Sequence, residues 1–187
     1  MKVTKVAVTG LVASGKSALC QFLDALGAVT VSADQIVHHL LLHDQDIHQK
    51  LERLLGADVF VGGKPSREKI AEKVFGNRKK LEALEALLHP KVFNEIDRCF
   101  SETKESNIFV AEIPLLFEVG ADKPFDQTVT VIRSSSASDI THFEERVARQ
   151  LSSKEKANRS SIVLLNRGSL DDLKKEASLL FRILLEH

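Results

Sequence analysis

Gly10-Leu11-Val12-Ala13-Ser14-Gly15-Lys16-Ser17 sets two glycines around a short loop and follows them with a lysine and a hydroxyl. This is the full G-x-x-x-x-G-K-[ST] pattern, and each residue type has a physical task. The glycines permit backbone angles that other residues resist. The amides from Ala13 to Ala18 can then converge on one anion at the start of a helix. Lys16 can reach the β- and γ-oxygens of a nucleotide, and the Ser17 hydroxyl can ligate Mg²⁺. The motif also follows an apolar run and precedes a helical stretch, as its mechanism requires. The G-x-G-x-x-G spacing of a dinucleotide-binding loop is absent.

A phosphate loop leaves the reaction open, and two carboxylates bear on it. Asp34 lies just beyond the second apolar run, where strand C-termini face the ligand crevice of an open parallel sheet. It could accept a proton from an acceptor hydroxyl or help hold Mg²⁺. The alternative is helix capping by Ser32 or Asp34. Glu112 ends a third apolar run, in the manner of a strand-borne metal-coordinating acid. Its alternative is an edge position facing solvent. Glu118 reads as a cap or a surface residue.

The elements that must carry these groups follow from periodicity. Lys5–Thr9 reads as a strand buried on both faces, and Lys16–Leu26 as a helix with Leu19, Phe22, Leu23 and Leu26 inward. Ala28–Ser32 reads as a second buried strand, completing a βαβ unit with a right-handed crossover. Helices are expected over Asp34–Leu42 and Ile47–Leu55, then a loop with a short hairpin through Pro65. A helix capped by Ser66 comes next. Arg78–Phe100 is a long helical stretch expected to kink or restart at His89-Pro90. Further strands fall at Ile108–Ile113, Gln127–Ile132 and Ser161–Leu165, with helices at 141–150 and from Ser169 onward. The last helix places Leu170, Leu173, Ala177, Leu180, Phe181 and Leu184 inward. Five strands separated by helices predict a three-layer, doubly wound α/β fold with a parallel five-stranded sheet. The helical block is too long for one crossover and predicts a cap beside the sheet.

Composition narrows the classes. Lys plus Arg equals Asp plus Glu at 26 each, which argues against a dedicated nucleic-acid binder but permits a small anionic ligand held by local charge. No apolar run is long enough to span a membrane, and no signal peptide is evident at the start. The two cysteines, Cys20 and Cys99, read as reduced thiols of a cytoplasmic protein, Cys20 core-facing. His38, His39, His43 and His48 cluster on the helical block, with His39 and His43 one turn apart. No further metal-type motif accompanies them, so a solvated or substrate-facing surface is the expectation.

The succession of the phosphate loop, Val31-Ser32-Ala33-Asp34, Ser66-Arg67, Leu87-Leu88-His89-Pro90 and Ile113-Pro114-Leu115-Leu116-Phe117-Glu118 resembles the dephospho-CoA kinase family. The resemblance runs from about residue 5 to 132 and resumes over 161–168. It implies a fold similar to nucleoside-monophosphate kinases and transfer of the ATP γ-phosphate to the 3′-hydroxyl of dephospho-CoA, with Mg²⁺. This is the last step of coenzyme A synthesis. It implies that Gly10, Ala13, Ser14, Gly15, Lys16, Ser17 and Ala18 hold ATP, with Asn166 and Gly168 on the adenine side. Asp34 would be the base or hydroxyl orienter. Arg67, His89, Pro114 and Leu115 would line the acceptor side, and Ser17 with Glu112 would serve the metal. One domain over 1–187 is expected, with a helical substrate-side insert over about 35–103 and a lid over about 133–160. A cytoplasmic monomer acting on a small molecule, with no nucleic acid and no membrane, completes the expectation.

The sequence departs from the family in four places. Ser32 replaces an Asp, Ala18 a Thr and Arg167 an Asn, and the basic segment after the fourth strand is shorter, so the lid is expected to be short or reduced. Two other readings stay open. One is another small-acceptor kinase for nucleosides or nucleotides; the other is a non-catalytic nucleotide-binding protein with a decayed lid.

Overall fold

The computed structural model describes residues 2–104, 106–133 and 150–186. The expected helix at 141–150 and most of the expected lid lie outside these residues. The chain divides into two compact units, Met1–Ser32 with Cys99–His187, and Ala33–Arg98.

The first unit is built on a parallel sheet. Its strands are β1 (Thr4–Thr9), β2 (Val29–Ser32), β5 (Ile108–Glu112), β6 (Gln127–Arg133) and β7 (Ile162–Asn166), in the order β2-β5-β1-β6-β7. Helices cover it on both sides. Side-chain parity assigns the faces. Val6 and Val8, Ile108 and Val110, and Val129 and Val131 point to one side. There they pack on Leu19, Cys20 and Leu23 of α1 (Lys16–Ala25) and on Leu173, Ala177, Leu180 and Leu184 of the C-terminal helix (Leu170–Leu185). On the other side Lys5 is buried, with its ammonium 4.9 Å from the Phe100 ring and 5.0 Å from the Phe125 ring. Two aromatic faces there compensate a charge on an otherwise apolar sheet.

Three expectations change. β2 is half-buried, because it is the end strand of the sheet and pairs, among the described residues, with β5 alone. Leu26 is exposed, because it lies past the end of α1, and Cys20 takes the inward place. Leu170 is exposed because it stands in the first turn of its helix, before the inward stripe begins at Leu173.

The second unit contains α2 (Ala33–His43), α3 (Gln45–Leu55), a 3₁₀ turn (Ala57–Val59), strands β3 (Phe60–Val61) and β4 (Lys64–Pro65), α4 (Arg67–Val74) and most of α5 (Arg78–Glu102). Its core gathers Leu41, Ile47, Leu51, Leu55, Val59, Ile70, Leu84 and Leu88. Asp44 caps α3 by accepting from the Ile47 amide at 3.0 Å, and Ser66 caps α4 through the Lys69 amide. β3 and β4 form the short hairpin around Gly62-Gly63. The expected break at Pro90 is not seen: α5 runs on as one helix. Pro90 itself is exposed, while Leu84, Leu88, Val92 and Ile96 form a buried stripe at four-residue spacing. Packing of that stripe on both sides of the proline outweighs the lost backbone hydrogen bond.

Between β6 and β7 the chain forms α6 (Ser153–Arg159), which the sequence analysis did not anticipate. The Ser152 side chain accepts from the Glu155 amide and Glu155 accepts from the Ser152 amide, a reciprocal capping box. The C-terminal helix, α7 (Leu170–Leu185), starts in a related way, with Ser169 accepting from the Asp172 amide at 3.0 Å.

Candidate active site

Gly10 leaves β1 at φ 147° and Gly15 enters α1 at φ 103°. Both positions are also sterically closed. A Cβ on Gly10 would run into the Val131 carbonyl, and one on Gly15 into the Asn166 amide nitrogen. Ala13 between them adopts φ 60°, a left-handed conformation that costs a non-glycine residue energy. The Ser14 amide donates to the Leu11 carbonyl at 3.2 Å and closes the loop on itself.

The helix that follows is prepared for an anion. No side chain caps the start of α1, and no acidic residue lies in its first turn. By contrast α3, α4, α6 and α7 each have a side-chain cap. The first amides of α1 and the positive end of its dipole are therefore left for a ligand. Lys16 is buried at 7% exposure, and its ammonium donates to the Leu11 carbonyl at 2.8 Å, folded back over the loop. The Ser14 hydroxyl is buried without a hydrogen-bond partner.

Glu112 is brought onto this loop by strand parity. It pairs in register with Val8 and shares the α1-facing side with Ile108 and Val110. The Ser17 hydroxyl, in the first turn of α1, donates to Glu112 Oε1 at 2.8 Å. Glu112 is 9% exposed on an interior strand, so the alternative of a solvent-facing edge residue does not hold. A hydroxyl and a carboxylate are both hard oxygen donors, which suits Mg²⁺. Among the described residues no group of three or more His, Cys, Asp or Glu could form a metal cage. Two protein oxygens, with the remaining positions left to phosphates and water, is the arrangement Mg²⁺ ordinarily uses with nucleotides.

Cys20 sits one turn further along α1. Burial, with the Glu112 carboxylate adding to it, pushes its thiol up to about 12. It is a core residue with no nucleophilic character.

Asn166 ends β7 and reaches the loop as well. Its Nδ2 donates to the Ser14 carbonyl at 2.8 Å, while its Oδ1 accepts from the Gly168 amide at 3.0 Å. Both ends of the side chain are thus used to tie the phosphate loop to the turn before α7. Pro114 and Leu115 follow β5 and are half-buried. The Ile113 amide donates to the Val8 carbonyl, and the Pro114 carbonyl accepts from Thr9 Oγ1 at 3.1 Å.

Asp34, Arg67 and His89 belong to the second unit. Asp34 lies in the first turn of α2, an exposed carboxylate two residues beyond Ser32, the register partner of Glu112. Arg67 opens α4 and is exposed, and His89 packs its ring edge-on to Phe93 one turn later in α5. In the histidine cluster, the His39 and His43 ring centroids lie 4.5 Å apart with their planes tilted by 42°, and His48 Nε2 lies 2.7 Å from the Leu41 carbonyl.

Sequence reasoning missed Lys156. It is fully buried in α6 and pairs with Glu118 at 2.8 Å. Glu118 is correspondingly no surface residue, since it also accepts from the Leu151 amide at 2.8 Å. The Ser152-x-x-Glu155 signature could have revealed the helix. Nothing local marks its lysine as buried, because lysine is ordinarily exposed.

A family model described as dephospho-CoA kinase matches residues 4–172. The chain belongs to the dephospho-CoA kinase family. A dephospho-CoA kinase of Protochlamydia amoebophila is 39% identical over 97% of both chains. One of Leptospira interrogans is 34% identical over 96% of this chain and 92% of its own. Among solved structures, TT1252 from Thermus thermophilus superposes with a TM-score of 0.78 at 30% identity, covering 100% of this chain and 98% of that one. A dephospho-CoA kinase from Campylobacter jejuni gives 0.69 at 24% identity, covering 96% of each chain, and supports the fold. As a member of this family the chain is an ATP-dependent phosphotransferase that uses dephospho-CoA. Its phosphate loop is the one described above.

Proposed function

We propose that the chain transfers the γ-phosphoryl group of ATP to the 3′-hydroxyl of dephospho-CoA, the closing step of coenzyme A synthesis. The observation that carries this reading is the uncapped start of α1. A phosphate loop and a buried lysine stand there with the Ser17–Glu112 pair, in a chain of this family.

The loop amides from Ala13 to Ala18 and the Lys16 ammonium take the β- and γ-phosphates, with Lys16 exchanging the Leu11 carbonyl for phosphate oxygens. Ser17 and Glu112 would hold Mg²⁺, which neutralises charge on the phosphate oxygens when bound. Asn166 and Gly168 serve the adenine side, Asn166 by fixing the loop from behind. Asp34 accepts a hydrogen bond from the ribose hydroxyl and aims its oxygen at the γ-phosphorus. Arg67, His89, Pro114 and Leu115 hold the rest of the acceptor, and the span of about 35–103 is the substrate-side insert. In-line transfer through a loose transition state asks the protein mainly for positioning and charge stabilisation. Balanced overall charge argues against a nucleic-acid partner, and the reading takes the chain as a cytoplasmic monomer acting on a small molecule. Among the described residues no helix is long and apolar enough to cross a membrane.

The test is mass-spectrometric detection of coenzyme A after mixing the protein with Mg-ATP and dephospho-CoA. ADP release is followed in parallel with nucleosides and nucleoside monophosphates as acceptors. Coenzyme A formed in preference to every other product is expected. Turnover of a nucleoside alone, or ATP binding with no acceptor used, would reassign the chain.

A further inference from the structure

Lys156 raises a question that stability does not answer. Taking an ammonium and a carboxylate out of water costs more than their attraction generally returns, and a packed apolar pair would serve the core as well. Yet Lys156 is 0% exposed, and its ammonium is met by three oxygen-bearing partners, Thr9, Pro114 and Glu118. Its Nζ donates to the Pro114 carbonyl at 2.8 Å, lies 2.8 Å from Glu118 Oε1, and reaches Thr9 Oγ1 at 3.4 Å. Thr9 in turn donates to the same Pro114 carbonyl.

These partners have a common location. Thr9 is the last residue of β1, immediately before Gly10 of the phosphate loop. Pro114 lies two residues past Glu112, just beyond the end of the strand that brings the carboxylate to Ser17, and it opens the turn continuing into Leu115. One ammonium therefore joins the strand end that feeds the phosphate loop to the strand end that feeds the Pro114-Leu115 turn. Glu118 fixes that ammonium and also holds the Leu151 amide just ahead of α6.

We propose that Lys156, with Glu118, is a positioning residue for phosphoryl transfer: it locks the β1 and β5 ends together, so that the Pro114-Leu115 turn presents the acceptor at a fixed place against the phosphate loop. The inference rests on the reading that Pro114 and Leu115 serve the acceptor. It does not require Lys156 to touch either substrate. Its consequence is a division of effects. Loss of the ammonium loosens acceptor placement, and displacement on the ångström scale costs about a hundredfold in rate. ATP binding to the loop amides and Lys16 persists.

The experiment compares the full-length chain with Lys156→Met, Lys156→Met/Glu118→Leu and Thr9→Val. Thermal melts, ATP affinity by calorimetry and steady-state kinetics with dephospho-CoA are measured for each. Lys156→Met should lower kcat/KM for dephospho-CoA by about thirtyfold or more with ATP Kd within about threefold. The double variant removes the stranded carboxylate, so its melting temperature should recover while its turnover does not. Thr9→Val deletes only the bridging hydroxyl and should lower kcat/KM about three- to tenfold. Recovery of turnover together with stability in the double variant would reduce the pair to a packing element and overturn the proposal. So would wild-type kinetics in Lys156→Met. If neither lysine variant folds, unchanged kinetics in Thr9→Val overturns it. Absence of coenzyme A from the wild-type reaction would instead remove the functional reading itself.

Discussion

Ser17 and Glu112 are far apart in sequence and meet because of two simple periodicities. Alternation along β5 turns Glu112 to the α1 side, and Ser17 occupies the first turn of the helix that crosses it. Glu112→Gln would keep an oxygen near Ser17 but lose the charge. The Mg²⁺ concentration giving half-maximal turnover should rise about ten- to a hundredfold. A metal titration of ADP release checks this, and an unchanged midpoint would remove Glu112 from the metal. Lys16→Ala should abolish turnover, because no other described ammonium reaches the loop from α1; an active variant would refute the phosphate cradle. Asp34→Asn should lower kcat by about two to four orders of magnitude while leaving ATP affinity nearly intact. Equal losses in both would argue that Asp34 binds rather than orients. The phosphate loop was legible in full because its chemistry is local in sequence. Lys156 and Glu118 were not, since burial of a charge depends on partners that only the folded chain supplies.

At the scale of elements, local signals served wherever one element decides its own fate. The buried strands β1 and β5 announce themselves as apolar runs and β6 as a stretch of β-branched residues, while Ser66 and Ser169 mark helix starts. The half-buried state of β2 was not legible, because edge position depends on sheet order rather than on composition. The unbroken course of α5 was hidden for a similar reason: the flanking stripe overrides the proline. Pro90→Ala should restore an amide donor and stabilise the protein by about 1–2 kcal/mol once the gain in unfolded-chain entropy is deducted. A urea melt showing a loss instead would mean that the ring itself makes needed contacts.

The start of α3 carries a pH signature. Asp44 is held below the usual carboxylate range, first by the hydrogen bond from Lys91, and Lys91 is raised by Asp44 and Asp46. A lowered acid contributes stability above its unfolded pKa of about 3.9 and loses it as pH falls through the folded value. A raised lysine contributes below its unfolded pKa of about 10.4 and loses it as pH climbs through the folded value. Lys91→Met should therefore be destabilising from about pH 5 to 10, with the gap to wild type closing near pH 2–3. Denaturant melts at pH 3 and pH 7 check this, and a gap independent of pH would show that Lys91 acts through its packing alone.

For the molecule as a whole, two units with separate cores imply that ligands protect them unequally. Mg-ATP at a hundred times its Kd should add about 2.7 kcal/mol to the first unit by mass action. Hydrogen exchange should slow more in residues 2–32, 106–133 and 150–186 than in residues 33–98, and uniform slowing would contradict this. Cys20 offers a second readout on the same scale. At 7% exposure, with its thiol pushed up to about 12, it should react with an alkylating reagent far more slowly than the half-buried Cys99 while the sheet and α1 stay together. Its modification rate therefore times the global opening of the first unit, and the enzyme carries its own clock for unfolding without any engineered label.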